Sequence, residues 1–293
     1  QLVPENHLLR KIDKYIDFSF IHELCAPYYC KDNGRPAIEP EVLFKMLFIG
    51  YLFGIRSERR LLEEINVNVA YRWFLGYGLS DPLPDVSVIW QNRRRRFRNT
   101  DIPQQIFDEI VRQAMDAGLV EGKVLYTDST HLKANANRNK FEAVKVNETP
   151  KEHGKKPLKK KDDNDAPKGG SNATGKEKEI KQSKTDPESG FMHREGKPKG
   201  FFYLDHRTVD AKANIITDVH VTAGNVADNV PYIDRLRRQI ETFGFEVETA
   251  VADAGYNNVY IAKDLYEMGI IGVMGYRRTA GAKGKYRKHK FKY

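Results

Sequence analysis

The sequence predicts an α+β protein with two domains. Residues 1–118 form an all-helical N-terminal domain, and residues 119–293 form an α/β domain with a mixed five-stranded sheet and helices. Three observations predict this. Apolar residues recur at helical spacing up to Gly118, and the period becomes strand-like after Gly122. Beyond Gly200, β-branched runs of strand length alternate with amphipathic stretches of helical period, which implies strands joined by helices and parallel pairing there. Between Glu142 and Gly190 there is no Phe, Tyr or Trp, only a stretch rich in Lys, Asp, Glu, Gly and Asn. Such a stretch buries too little apolar surface to offset its ordering entropy, so residues 142–190 are expected to be a long, basic, disordered insertion.

In the first domain, Ile12, Tyr15, Ile16, Phe18, Phe20 and Ile21 are spaced to suit a short helix and its lead-in. Gly34-Arg35-Pro36 breaks the chain. Pro40, with Glu39 and Glu41 beside it, opens a helix that is apolar nearly all round from Leu43 to Phe53 and stops at Gly54. Ser57 caps the next, Glu58 to Ile65, with Leu61, Leu62 and Ile65 on one face. Val69 to Leu75 carries Tyr71, Trp73 and Phe74. Asp85 caps a helix running from Val86 through Arg98, and Pro103 opens another that ends at Gly118. Short helices joined by tight turns are compatible with a helix-turn-helix.

In the second domain, Val124-Leu125-Tyr126 is a strand. Phe201–Asp210 and Ile215–Val221 make a hairpin, and Asn225 caps a helix from about Val226 to Phe243. Val247 to Ala252 is a strand, Asn257 or Asn258 starts a helix through Met268, and Ile270–Met274 is the last strand.

Composition narrows the function classes. A net charge of +9 and a pI near 9.3 point to a polyanionic partner, of which nucleic acid is the commonest. No apolar run is long enough to span a bilayer, and no signal-peptide pattern opens the chain. Cys25 and Cys30 are too few for a disulfide framework or a zinc site and read as reduced thiols. A cytoplasmic, nucleoid-associated protein is the expectation.

Two carboxylates carry the candidate chemistry. Asp128, in Tyr126-Thr127-Asp128-Ser129, and Asp253, in Val251-Ala252-Asp253-Ala254-Gly255, each follow a strand-length run and precede small turn residues. If their strands are neighbours, both acids stand at one rim of the sheet, where they can share a hard divalent cation. Either acid taken alone is an ordinary turn or cap residue. Arg93, Arg94, Arg95 and Arg96 form a candidate phosphate-binding patch. Four successive residues point all around a helix, so they cannot all face one groove. His131, His206 and His220 fall in or near strands and are expected to be satisfied structural histidines.

The local sequences resemble a known family. Tyr126-Thr127-Asp128-Ser129-Thr130, His206-Arg207-Thr208-Val209-Asp210, Val221-Thr222-Ala223-Gly224-Asn225-Val226-Ala227-Asp228 and Val251-Ala252-Asp253-Ala254-Gly255-Tyr256 are similar to the conserved blocks of IS4/IS5-type DDE transposases of bacterial insertion sequences. Residues such as Gly50-Tyr51-Leu52-Phe53-Gly54 and Tyr71-Arg72-Trp73-Phe74 resemble the helical domain that precedes the catalytic domain in IS5- and IS1182-like members. The resemblance implies a ribonuclease-H-like catalytic domain. It implies two Mg²⁺ (or Mn²⁺) ions held by Asp128 and Asp253, and DNA cleavage and strand transfer by in-line displacement. It also implies double-stranded DNA partners, namely terminal inverted repeats and target DNA, a homodimer, and no membrane association. The family's third acid, a glutamate on a helix after the fifth strand, has no counterpart here, because no acidic residue follows Met274. Glu267 is nearest but lies on the preceding helix. A C-terminally truncated transposase is therefore the expectation. A non-catalytic DNA-binding remnant or inhibitor of transposition is the alternative, and an unrelated ribonuclease-H-like nuclease a third.

Overall fold

Helix-capping side chains set the outline of the N-terminal part. Ser57 Oγ accepts from Arg60 N at 3.4 Å, Asn68 Oδ1 from Ala70 N at 2.9 Å, and Asp85 Oδ1 from Ser87 N at 2.8 Å. Each satisfies a backbone donor that the first turn leaves without a partner. The computed structural model describes residues 2–29, 37–147, 177–193 and 199–275, with 145–147 and 177–178 by backbone alone. Gly34-Arg35-Pro36, Cys30 and the tail from Arg277 lie outside the described residues. The chain divides into two compact units, Gln1–Gln113 and Ala114–Tyr293.

The regular elements of the first unit are helices: α1 (Leu8–Tyr15), α2 (Phe20–Cys25), α3 (Pro40–Leu52), α4 (Glu58–Val67), α5 (Val69–Phe74), α6 (Val86–Gln91) and α7 (Ile102–Asp116), which runs across the unit boundary. Leu9, Ile21, Leu43, Met46, Ile49 and Ile65 are fully buried in one core. Burial of each such side chain stabilises by about 1.5–3 kcal/mol. Lys45 lies on the same helix as three of them and is 9% exposed. Its amine pairs with Glu41 at 2.9 Å and Asp13 at 3.5 Å and stands over the rings of Phe18 and Phe74. Gly54 and Gly118, at φ +68° and +70°, end α3 and α7 as the sequence suggests.

Two expectations in this unit need correction. The apolar residues from Ile12 to Ile21 are spread over two helices and the link between them, not one helix. Asp17 interrupts them, its carboxylate accepting from Ser19 N and Ser19 Oγ at 2.8 and 2.9 Å. The helix from Val86 does not run on regularly to Arg98. After Gln91 it widens into a π-helical turn, Asn92–Arg96, closed by Phe97 N donating to Asn92 O at 3.0 Å. The extra residue lets Ile89, Asn92 and Phe97 all reach the interior.

The second unit holds an eight-stranded mixed sheet: β1 (Val124–Lys133), β2 (Phe141–Asn147), β3 (Glu177–Ser183), β4 (Gly190–Met192), β5 (Gly200–Asp210), β6 (Ile216–Ala223), β7 (Thr249–Ala252) and β8 (Ile271–Met274). The order is β2-β3-β4-β5-β1-β7-β8, with β6 also on β5. β5 pairs antiparallel with both β1 and β6, while β1, β7 and β8 run parallel. The helices are α8 (Tyr232–Phe243) and α9 (Val259–Glu267).

The sheet exceeds the five strands expected because both ends of the 142–190 stretch are ordered. β2 and β3 pair from Phe141↔Ser183 to Asn147↔Glu177. Their stability comes from cross-strand pairs instead of burial: Val144 faces Ile180, and the Lys181 amine lies 4.3 Å over the Phe141 ring. Residues 148–176 lie outside the described set. The helix expected from Val226 instead starts at Tyr232, with Pro231 at its cap. Proline has no N–H to donate and suits only a helix start.

Candidate functional site

The parallel ladder between β1 and β7 ends at Thr127↔Ala252. One residue further on each strand are Asp128 and Asp253. The two acids, 125 residues apart in sequence, are thereby neighbours. They do not both stand at strand ends, as the sequence suggested. β1 continues for five residues past Asp128, because Ser129 to Lys133 pair with β5. β7 stops at Ala252, where Tyr256 N donates to Asp253 O at 3.2 Å and closes a turn. The short strand thus ends beside the middle of the long one, and this step in the sheet uncovers Asp128.

Strand alternation then decides which face carries the site. Tyr126, Asp128 and Thr130 are exposed on one face, and Leu125 is buried on the other. Asp128, Asp253, Tyr126, Thr130, Arg207 and Val251 line an open cavity of about 370 Å³. Asp128 Oδ1 accepts from Ser129 N, and Asp253 Oδ1 from Gly255 N, both at 2.7 Å. A Cβ on Gly255 would sit 2.8 Å from that Asp253 oxygen and push the carboxylate aside. Among the described residues neither Oδ2 takes a hydrogen bond, and each carboxylate keeps an oxygen for a ligand. Two hard oxygen donors beside an open cavity fit a hard divalent cation. No cluster of three or more metal-ligating side chains occurs among the described residues. Glu267 is on α9, paired with Lys263 at 3.5 Å.

Tyr256 lies completely buried by this turn, its ring edge-on to Tyr232 at 5.1 Å. Burial pushes its phenol pKa well up; Ser129 opposes this, and the Asp228, Asp128 and Asp253 carboxylates push it further up. Both cavity acids therefore act on one buried hydroxyl.

The opposite face of the sheet carries a separate polar layer. His206 Nε2 lies 2.9 Å from Thr222 Oγ1, and its ring is 6.1 Å from that of His220. Burial lowers the pKa of His206, with His220 adding to the effect; burial and then Arg235 lower that of His220. Arg235 forks onto the buried carboxylate of Asp218. His131 packs edge-on against Phe202.

The four arginines are used unequally. Arg93 pairs with Glu58 at 2.8 Å, and Arg94 lies 5.0 Å over the exposed Trp90 ring. Arg95 is exposed, whereas Arg96 is half-buried, 4.1 Å over the Tyr29 ring. The π-helical turn fans these side chains apart.

Sequence reasoning passed over Arg207, which sits directly across the ladder from Asp128. The signal was there: Asp205 and Arg207 are two apart on a strand, hence on one face, in a block adjoining the acid's own strand.

Residues 1–95 match the family described as Transposase domain (DUF772), and residues 123–292, more than half the chain, match the Transposase DDE domain. No curated protein matches the chain. Among solved structures, the Mos1 transposase paired-end complex with left transposon end is similar at 11% identity, over 84% of this chain and 61% of that one, with a TM-score of 0.26. The piggyBac transposase synaptic complex with hairpin DNA shares 12% identity over 94% of this chain and 52% of that one, with a TM-score of 0.37. For the Drosophila P element transposase strand transfer complex the figures are 12%, 91%, 43% and 0.32. The chain spans less than two thirds of the length of each of these three, and similarities this low carry no argument on their own.

Proposed function

The chain belongs to the Transposase DDE domain family, and from that premise we propose that it binds the DNA ends of an IS4/IS5-type insertion sequence and takes part in their metal-dependent cleavage and transfer. The observation that carries this reading is the adjacency of Asp128 and Asp253 at the step in the sheet, each with one oxygen tied and one open. These two residues would hold Mg²⁺ or Mn²⁺. When bound there, such an ion polarises a phosphate oxygen and lowers the pKa of coordinated water. The backbone N–H groups of Ser129 and Gly255 fix the two carboxylates in place without neutralising them. The cavity is open on one side, which suits a substrate as large as a DNA backbone. Double-stranded DNA is the partner. Exposed Arg94 and Arg95 are the better phosphate contacts of the arginine cluster, because Arg93 is ion-paired with Glu58 and Arg96 is half-buried against Tyr29. Among the described residues no helix is long and apolar enough to cross a membrane.

The test is Mg²⁺-dependent nicking of a duplex carrying the element's ends, with Asp128→Asn and Asp253→Asn. Loss of an outer-shell partner of a metal typically lowers activity or metal affinity about 10–100-fold, so loss of a direct ligand should lower nicking by more than about 100-fold. Both variants should bind DNA at least as well as the parent without metal, since a negative charge near phosphate is gone. Nicking that survives both substitutions refutes the reading. Salt-sensitive binding with no acid-dependent nicking points instead to a DNA-binding protein without cleavage activity.

A further inference from the structure

The cavity contains a cation that the reading above leaves unused. Arg207 stands directly opposite Asp128 in the β1–β5 ladder and lines the cavity. Side chains facing one another across antiparallel strands are about 4.5–5.5 Å apart at Cβ, so an ion pair between them is the default outcome. It does not form. The guanidinium turns along its own strand to Asp205, Nε and Nη2 donating to the same oxygen, Oδ2, at 2.9 and 2.6 Å. Asp205 is buried, while the side chain of Arg207 is 53% exposed.

Two features of this pair call for an explanation. First, the other oxygen of Asp205, Oδ1, is buried with no hydrogen-bond partner among the described residues. A carboxylate is costly to bury and costlier with an oxygen unsatisfied. Second, the fork is one-sided. A guanidinium has five N–H donors in a rigid plane, and two are spent on one oxygen. Three remain, on a half-exposed group at the mouth of an acid-lined cavity. Left to itself, Arg207 would fold onto Asp128 and cancel the charge that a metal ligand needs. Asp205 holds it off.

We propose that Arg207 is a phosphate contact of the DNA site, its remaining N–H edge gripping a backbone phosphate beside Asp128, and that Asp205 is the positioning residue that keeps the guanidinium away from that acid. Planar donors in a fixed fork match phosphate oxygens, which a lysine amine does not do. The inference rests on the cavity being a DNA-phosphate site, but not on cleavage taking place there.

The test is therefore metal-free binding. The full chain is titrated against a fluorescently labelled duplex of mixed sequence in EDTA, over a series of salt concentrations. Each neutralised phosphate contributes about 0.9 to the slope of log K against log salt. Arg207→Gln should lower the slope by about that amount and weaken binding, and Arg207→Lys should keep the slope with part of the affinity. Arg207→Gln leaves Asp205 buried and unpaired and is expected to be the least stable variant. The double variant Asp205→Asn/Arg207→Gln removes that cost and decides the matter. If Arg207 contacts phosphate, the double variant stays low in slope and affinity. If Arg207 serves only to neutralise Asp205, the double variant returns to parental binding, and the proposal is overturned. Parental slope and affinity in Arg207→Gln overturn it equally. Absent nicking by the parent sinks the cleavage reading alone, whereas absent salt-sensitive binding sinks both.

Discussion

Asp210 ties the strand that carries Asp128 to the rest of the sheet, and removing its carboxylate should be among the most damaging single changes in the second unit. It ends β5 and is 1% exposed. Oδ2 accepts from Gly122 N at 2.8 Å and Glu121 N at 3.3 Å, and Oδ1 from Lys212 N at 2.9 Å. One side chain thus holds both the lead into β1 and the turn between β5 and β6. Gly122 itself has φ +73°, and a Cβ there would lie 2.3 Å from the Phe245 ring, so only glycine fits at this point of the lead-in. Asp210→Ala leaves two closely bonded N–H groups without an acceptor. At roughly 1.5–3 kcal/mol per hydrogen bond to a charged group, with some relief from entering water, the loss is about 3–5 kcal/mol. Asp210→Asn keeps one acceptor oxygen but turns an NH₂ toward a donor, and should cost about half as much. The assay is urea unfolding followed by far-UV circular dichroism, read as a shift in midpoint at unchanged slope. Both tryptophans, Trp73 and Trp90, lie in the first unit, so their fluorescence serves as an internal reference. A shifted dichroism transition with a stationary fluorescence transition locates the damage in the second unit. An Asp210→Ala variant that loses less than about 1 kcal/mol, the worth of an ordinary neutral hydrogen bond, refutes the reasoning.

Further outcomes follow from the same geometry. The folded-state pKa values of His206 and His220 are both depressed, chiefly by burial, so the unfolded chain binds more protons than the folded one as pH falls below about 6.5. Stability should be fully present above that pH and decline as pH drops through the folded values. His206→Gln should flatten the decline measured by urea midpoints, and an unchanged profile refutes the assignment. Gly224→Ala places a Cβ 2.6 Å from the Phe202 carbonyl oxygen. Overpacking of this kind costs about 1–3 kcal/mol, so a neutral result in the same unfolding assay means that the β5–β6 end is not held as described.

The parts of the fold legible in the sequence are those set by local chemistry. Ser57, Asp85 and Asn258 cap helices because a short polar side chain just before an apolar run meets donors of its own first turn, two or three residues away. The hairpin of β5 and β6 is likewise written in its β-branched residues. β2 and β3 were illegible for a physical reason: they are held by cross-strand contacts and not by an apolar face, so neither strand shows the alternation that marks burial. The shift of α8 to Tyr232 is legible in principle, since Pro231 lies inside the helix expected from Asn225 and suits only a helix start.

The candidate site divides along the same line. Asp128 and Asp253 stood out because each is preceded by a run of strand length, a local mark. Their adjacency depends on β7 lying parallel beside β1, which strand-helix alternation makes the natural arrangement. What no local rule supplies is that β1 runs on past its acid while β7 stops. That mismatch in length exposes Asp128 and opens the cavity, and it arises because β5 pairs with β1 along nine residues, past Ser129-Thr130-His131, which has no apolar run to mark a strand. The same long pairing sets Arg207 opposite Asp128. A cation and an acid proposed to hold a metal, placed face to face, would cancel each other, and in the proposal above their separation depends on Asp205, which is buried and spends one oxygen on a neighbour two residues away. Register between distant strands thus creates both the site and the conflict inside it, and a same-strand ion pair resolves that conflict.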